Sequence, residues 1–209
     1  MYNILDDVQT SIKDLELLNH KRDMLCNASA KIFFEKGYER TTIQDIANAA
    51  GISVGSIYRY IGKKEDILTL LLQNAWHIIN RELVPLSLAE IPPDDKLKRL
   101  FEKYCKMIHT HKYYFVVAIK ENRSMDKAQR DVFKMLENTI TKCFVRAIDD
   151  GVNKLVFDLA ADEFFAYNLL ILGQQWTMRN YHYKGMSIDE FIDKQLKIIE
   201  TVLKRNELV

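Results

Sequence analysis

The sequence predicts an all-α fold, and two features carry that reading. Glycine and proline are scarce, at 7 and 3 of 209 residues, so few positions interrupt a helix. Apolar residues recur three and four apart in one segment after another, and no stretch alternates apolar with polar as a half-buried strand would. The expected architecture is a three-helix N-terminal unit joined to a larger helical body. That makes about nine helices, with a possible extra one at the N-terminus.

Taken in order, Ile4, Leu5, Val8, Ile12, Leu15 and Leu18 predict an amphipathic helix within residues 1–19. This arm carries Asp6, Asp7, Asp14 and Glu16, which suits packing on its own body or fraying better than lying along a polyanion. His20 to Lys36 is the first full helix, with Met24, Leu25, Ala28, Ile32 and Phe33 as its inward stripe, and Gly37 ends it. His20, Lys21 and Arg22 can be read as phosphate contacts or as a solvated cluster. Residues 64–84 form one long helix through Ile67, Leu68, Leu71, Leu72, Ala75, Ile78 and Ile79, closed by Pro85. Glu90 to Asp95, with Pro92-Pro93, is the clearest loop. Helical patterns resume over 94–110, near 113–122, and over 125–150, where Asp150-Gly151 reads as a turn. Asp158 or Asp162 is expected to cap a helix running to about Tyr183, and Ser187 the last one, to about Lys204.

Thr41 to Asp66 is the most informative stretch. Thr42 with Asp45 has the form of a capping box, and Ile43, Ile46, Ala47 and Ala50 give the helix that follows an apolar side. Gly51 stands where that helix must stop and turn, and Ser53 can cap a second helix over Val54 to Tyr60. This is the sequence form of a helix-turn-helix. With Ile57 and Ile61 turned inward, Val54, Gly55, Tyr58 and Arg59 point outward and Tyr60 lies on the flank. Small, aromatic and cationic groups on an exposed helix suit the DNA major groove. The expected base readers are Gln44, Val54, Tyr58 and Arg59, with Gly55 permitting close backbone approach. The expected phosphate contacts are Thr42, Ser56, Tyr60 and Lys64, with Ser53 at the helix start.

The stretch resembles the DNA-binding segment of TetR-type transcriptional regulators. The resemblance rests on Thr41-Thr42, Ile46-Ala47, Gly51-Ile52-Ser53, Ile57-Tyr58-Arg59-Tyr60 and Lys64-Glu65, with Ala30, Phe33, Gly37 and Tyr38 upstream. Ile61 stands where the family has an aromatic residue, and Lys63 where it has a Ser or Asn cap. The resemblance implies a DNA-binding domain over 20–66 and a ligand-binding and dimerisation domain over 67–209. It also implies a homodimer on a pseudo-palindromic double-stranded operator, usually a repressor, with a small-molecule pocket in each subunit.

The body is rich in aromatic residues, and two readings stand for them: core and dimer seam, or the lining of an apolar cavity between helices. Candidate lining residues are Phe101, Tyr104, Ile108, Phe115, Phe133, Phe144, Trp176 and Arg179. The last two helices are the candidate seam, through Phe164, Leu169, Leu172, Trp176, Phe191, Leu196 and Ile199. The segment Trp176 to Ser187 looks like the corresponding part of regulators answering fatty acyl-coenzyme A, with Arg179 and Lys184 facing phosphates. An aromatic or drug-like effector, or a protein partner, are the other readings.

Net charge is +1, although His20 to Glu65 carries eight Lys/Arg against five Asp/Glu. Cys26, Cys105 and Cys143 are widely spaced, which argues against a disulfide framework or a zinc site and for reduced thiols in a cytoplasmic protein. The apolar runs are too short to span a bilayer, so no membrane role is expected. His109 and His111 are two apart and lie on different helix faces, and no Gly-rich phosphate loop, nucleophile elbow or HExxH is present. Neither an enzyme, a metal nor a cofactor is expected.

Overall fold

The computed structural model describes residues 8, 10, 12–158 and 163–203. Among the described residues ten α-helices run in order: α1 (Leu15–Lys36), α2 (Ile43–Ala50), α3 (Val54–Ile57), α4 (Glu65–Glu82), α5 (Val84–Ser87), α6 (Pro93–Thr110), α7 (Lys112–Lys120), α8 (Lys127–Asn153), α9 (Glu163–Met178) and α10 (Ile188–Leu203). No strand occurs among the described residues. The chain forms two compact units. One holds the residues up to His77 together with Lys112–Lys134, and the other holds Ile78–His111 and the chain from Met135. The division between these units falls within α4, and α7 groups with the N-terminal helices.

In the first unit α1 packs on α2 and α7. Leu25, Cys26, Phe33, Ile46, Ile57, Ile61 and Ile67 are sealed from solvent there, each contributing on the order of 2 kcal/mol by burial. α1 begins earlier than the sequence suggests. Asp14 caps it by accepting from the Glu16 and Leu17 amides, so Leu15 and Leu18 belong to α1 and residues 12–14 are not helical. Ile4 and Leu5, the other half of the expected arm helix, lie outside the described residues. Gly37 closes α1 at φ 88, its amide donating to the Phe33 carbonyl.

In the second unit α6 packs on α9, with α10 and α5 against α6. Gly173 of α9 lets Tyr104 of α6 come close: a Cβ there would lie 2.5 Å from a carbon of its ring. Gly151 does not turn the chain as expected. α8 continues through it to Asn153, and the bare backbone accepts the ring of Phe157, which folds back to within 2.0 Å of where a Cβ would sit. The chain reverses instead at Leu155, held at φ 58 and almost wholly exposed. α9 stops at Met178 and a 3₁₀ turn covers Asn180–Tyr183, shorter than the helix expected to Tyr183. Ser187 does cap α10, exchanging hydrogen bonds with Glu190. Asp162, one of the two expected caps of α9, is outside the described residues. The three cysteines are buried and unlinked.

Candidate nucleic-acid interface

Three local devices build the helix-turn-helix. Thr42 and Asp45 form a complete capping box at the start of α2. The Lys36 ammonium lies 2.6 Å from the Asp45 carboxylate and, with the Thr42 amide and hydroxyl, holds that carboxyl well below its ordinary range. Gly51 then reverses the chain in the left-handed conformation, φ 66 and ψ 31. Ser53 caps α3, accepting from the Ser56 amide while the two hydroxyls share a 2.8 Å hydrogen bond. α3 itself is a single turn and does not run to Tyr60 as the sequence suggests. Tyr58 to Tyr60 continue as a tight turn, with the Tyr60 and Ile61 amides both donating to the Ile57 carbonyl. Ile57 and Ile61 are fully buried, so the opposite side of this segment faces out.

The structure sorts the expected DNA contacts into three groups. Thr42, Gln44, Ser53, Gly55, Tyr58 and Arg59 line the outer side: Thr42, Tyr58 and Arg59 are exposed there, with Tyr58 at 52% the most open aromatic of the segment. Val54 and Ser56 are half-buried. Tyr60 and Lys64 differ from expectation. Tyr60 retains 8% of its surface, because the turn after α3 rotates its ring into the core. Lys64 is half-buried and directs its ammonium inward, donating to the Tyr38 and Thr41 carbonyls and lying 4.1 Å from the centre of the Tyr38 ring. It seals the α1–α2 connection, whereas the neighbouring Lys63 is exposed.

The anchors behind this face are not apparent from residue type alone. Arg22, one of the three basic residues read as phosphate contacts or a solvated cluster, is only 6% exposed. Its Nε donates to the Tyr60 carbonyl at 3.0 Å and its Nη2 to the Val8 carbonyl at 2.7 Å. Burial lowers its pKa, with the Asp66 charge acting in the other direction. Asp66 accepts from the Gly62 and Lys63 amides, supplying the cap that Lys63 cannot. Arg22 shares a helix face with Leu18, Leu25, Cys26 and Ser29, all buried, and that spacing is the signal that it turns inward.

In the second unit, Phe101, Tyr104, Ile108 and Phe144 are fully buried. The rings of Tyr104 and Phe144 meet edge to face at 5.6 Å, and the Tyr104 hydroxyl donates to the Leu170 carbonyl. These four are packed core here. Phe115 and Phe133, also expected to line a pocket, are buried in the first unit. Trp176 is half-buried, donating to Nδ1 of His109 and stacking on Tyr183 beside Phe191. Arg179 is exposed and reaches the Tyr181 hydroxyl. A cavity of about 240 Å³ lies elsewhere, among Leu97 and Lys98 of α6, Val156, Phe157, and Leu196, Ile199 and Leu203 of α10, with Asp94 and Glu200 completing its wall. None of the eight expected lining residues borders it.

The expected seam residues divide by burial within the single chain. Leu169, Phe191 and Ile199 are buried inside the single chain, because their helix faces pack on its own core. Leu172, Trp176 and Leu196 are half-buried. The apolar row left open consists of Phe164, Tyr167 and Ile171 on α9 with Ile198 and Val202 on α10, and Phe164 is 76% exposed.

The profile of the "Bacterial regulatory proteins, tetR family" matches residues 25–71, and that of the "Tetracyclin repressor-like, C-terminal domain" matches residues 90–203, more than half the chain. The chain belongs to the TetR family. Among TetR-family relatives, the HTH-type transcriptional regulator HbdR of Aromatoleum sp. (strain CIB) is 25% identical over 203 residues, covering 93% of this chain and 85% of its own. The HTH-type transcriptional repressor KstR2 of Mycolicibacterium smegmatis is 27% identical over 133 residues, 63% of this chain and 65% of its own. The crystal structure of the TetR family regulator PfmR from Thermus thermophilus matches with a TM-score of 0.77 at 23% identity, covering 87% of this chain and 99% of that one. AibR, solved in complex with isovaleryl coenzyme A and operator DNA, matches with a TM-score of 0.77 at 12% identity, covering 85% and 97%. At these identities the two structures establish the shared fold. Among the described residues, no helix of this TetR-family chain is long and apolar enough to cross a membrane.

Proposed function

We propose that this TetR-family chain is a repressor that binds a pseudo-palindromic operator as a homodimer and leaves it when a small apolar or amphipathic effector binds. The observation that carries the DNA-binding part is the outer face formed by Gln44, Ser53, Gly55, Tyr58 and Arg59, backed by the sealed Ile57 and Ile61. In this reading Gln44, Tyr58 and Arg59 contact base edges, and Val54 meets a thymine methyl. Thr42, Ser53 and Ser56 approach phosphates, and exposed Lys63 takes the role expected of Lys64. A two-fold dimer through the open apolar row of α9 and α10 would set two such faces on successive half-sites.

The effector class is argued from chemistry and from relatives. Isovaleryl coenzyme A is bound in the AibR structure, and a putative fatty acid metabolism regulator from Clostridium perfringens shares the fold with a TM-score of 0.75 at 18% identity. An acyl thioester needs an apolar channel and a cationic mouth. The paired rings of Tyr104 and Phe144, and separately Trp176 with exposed Arg179 following in sequence, supply those residue types, and a channel there requires the packed rings to separate. The cavity bounded by Leu97, Phe157 and Ile199 is below the roughly 300–1,000 Å³ of drug-sized sites and would hold a shorter ligand.

The test of DNA reading is a gel-shift titration of Tyr58→Ala at two salt concentrations. Operator binding is expected to weaken by about 1–3 kcal/mol with random-sequence binding unchanged. Equal loss on both duplexes removes Tyr58 from base reading. For the effector, an acyl-coenzyme A series is compared with flat aromatic compounds in thermal-shift assays. Stabilisation by the aromatics alone replaces the lipid reading, and stabilisation by neither favours control by a protein partner.

A further inference from the structure

The turn that follows the recognition segment is fastened from three other places in the chain. Thr10 donates its hydroxyl to the Arg59 carbonyl at 3.0 Å, and is itself oriented by accepting from the Ile12 amide. Arg22 of α1 donates to the Tyr60 carbonyl with one nitrogen and to the Val8 carbonyl with another. Val8 is 4% exposed, so the chain is seated at this residue. Asp66 of α4 accepts from the Gly62 and Lys63 amides. Between Arg59 and Lys63, two carbonyls and two amides are thus held by side chains of the arm, α1 and α4.

A one-turn helix cannot hold its own orientation. It has a single turn's worth of internal hydrogen bonds, and isolated helices this short do not persist in water. Ile57 and Ile61 fix its depth, but hydrophobic contact is non-directional and leaves its rotation about that contact open. Directional bonds to the carbonyls immediately after it settle that rotation. A buried guanidinium suits the task, because its planar fork spans two acceptors with little rotamer freedom to lose.

We propose that Val8 and Thr10 form a strap which, together with the two-pronged Arg22, positions Tyr58 and Arg59 for base reading without touching DNA. The consequence rests on the DNA-binding reading above, but the strap itself does not. Arg22, Thr10 and Val8 are positioning residues: their loss should disturb the angle of the reading face more than its charge. Specific binding should therefore suffer while phosphate attraction, which depends on the number of exposed cations, stays the same.

The experiment uses full-length protein carrying Thr10→Val, Arg22→Lys or Arg22→Met. The first keeps size and loses the donor, the second keeps charge but loses the fork, and the third loses both. Hydrogen exchange of the backbone amides of Tyr58 to Lys63 is measured first. Exchange is expected to speed up there in Thr10→Val and more so in Arg22→Met, with α6 and α8 to α10 unchanged. Exchange equal to wild type in both variants overturns the strap. Binding is then measured to a duplex that the wild-type chain enriches from a random-sequence pool, and to an unselected duplex. The selected duplex should lose about tenfold in affinity, the scale of one misplaced base contact, with the unselected duplex unaffected. Parallel loss on both duplexes overturns the positioning role. Failure of the wild-type chain to enrich any sequence sinks the DNA-binding reading instead, and the exchange measurement still decides the strap.

Discussion

Gly173→Ala tests how tightly the second unit is built. A Cβ at this position would lie 2.5 and 2.6 Å from two carbons of the Tyr104 ring and 3.4 Å from Sγ of Cys105. Ordinary contact needs about 3.5–4.0 Å, so the ring must retreat by roughly 1 Å. It has little room: Tyr104 has no exposed surface, meets Phe144 edge to face, and donates to the Leu170 carbonyl. Overpacking of this kind costs about 1–3 kcal/mol, and a lost hydroxyl bond adds roughly 1 kcal/mol. Against this, alanine in mid-helix gains about 1 kcal/mol over glycine. The net expectation is a loss of about 1–3 kcal/mol. Urea unfolding at one fixed protein concentration reads it, compared with the same substitution in a Tyr104→Leu background, where the clash is gone. There Gly173→Ala should become neutral or stabilising, giving a coupling of about 2 kcal/mol between the sites. An equal cost in both backgrounds, or no cost in the wild-type chain, refutes the contact argument.

Thr42→Ala should remove the cap of α2 and lower stability by about 1 kcal/mol, read by the same unfolding assay. The Asp45 carboxyl is held below its ordinary range by Lys36 and Thr42. Its contribution is complete above the unfolded value of roughly 3.9 and is lost as pH falls through the lower folded value. The melting-temperature gap between wild type and Asp45→Asn should therefore close as the pH drops below that unfolded value. Lys64→Ala should cost on the order of 1 kcal/mol of stability by leaving the Tyr38 and Thr41 carbonyls without their charged donor, while the salt dependence of DNA binding changes little. Phe164→Lys should abolish the proposed dimer in sedimentation while the monomer keeps its helical spectrum, since that ring touches little of its own chain and remains 76% exposed.

Local chemistry is legible in the sequence wherever one residue type does one job. Thr42 with Asp45, Gly51 and Ser53 each act as their residue types announce, because caps and left-handed turns depend on neighbours only a few positions away. What sequence cannot do is assign a side to residues that only the fold orients. Tyr60 and Lys64 are polar-ended, and their periodicity puts them near the surface, yet the early end of α3 turns both inward. Gly151 follows an aspartate and looks like a turn, but its purpose is to admit the Phe157 ring. Leu169, Phe191 and Ile199 mark apolar helix faces, and periodicity does not say whether such a face meets its own chain or a second one. Arg22 is hidden for a similar reason. Its place on the buried stripe is readable, but the two carbonyls it serves are 14 and 38 residues away.

The brevity of α3 has a consequence for how such a molecule can change over generations. Its four residues contribute one buried side chain, Ile57, and lean on other parts of the chain for everything else. Positions 54, 55, 58 and 59 can therefore be exchanged without rebuilding the scaffold beneath them. A library randomised at those positions should yield mostly soluble proteins with near-parental melting temperatures and many different preferred duplexes. New target sequences would then be reachable by a few substitutions at the tip, with the machinery of the body inherited intact.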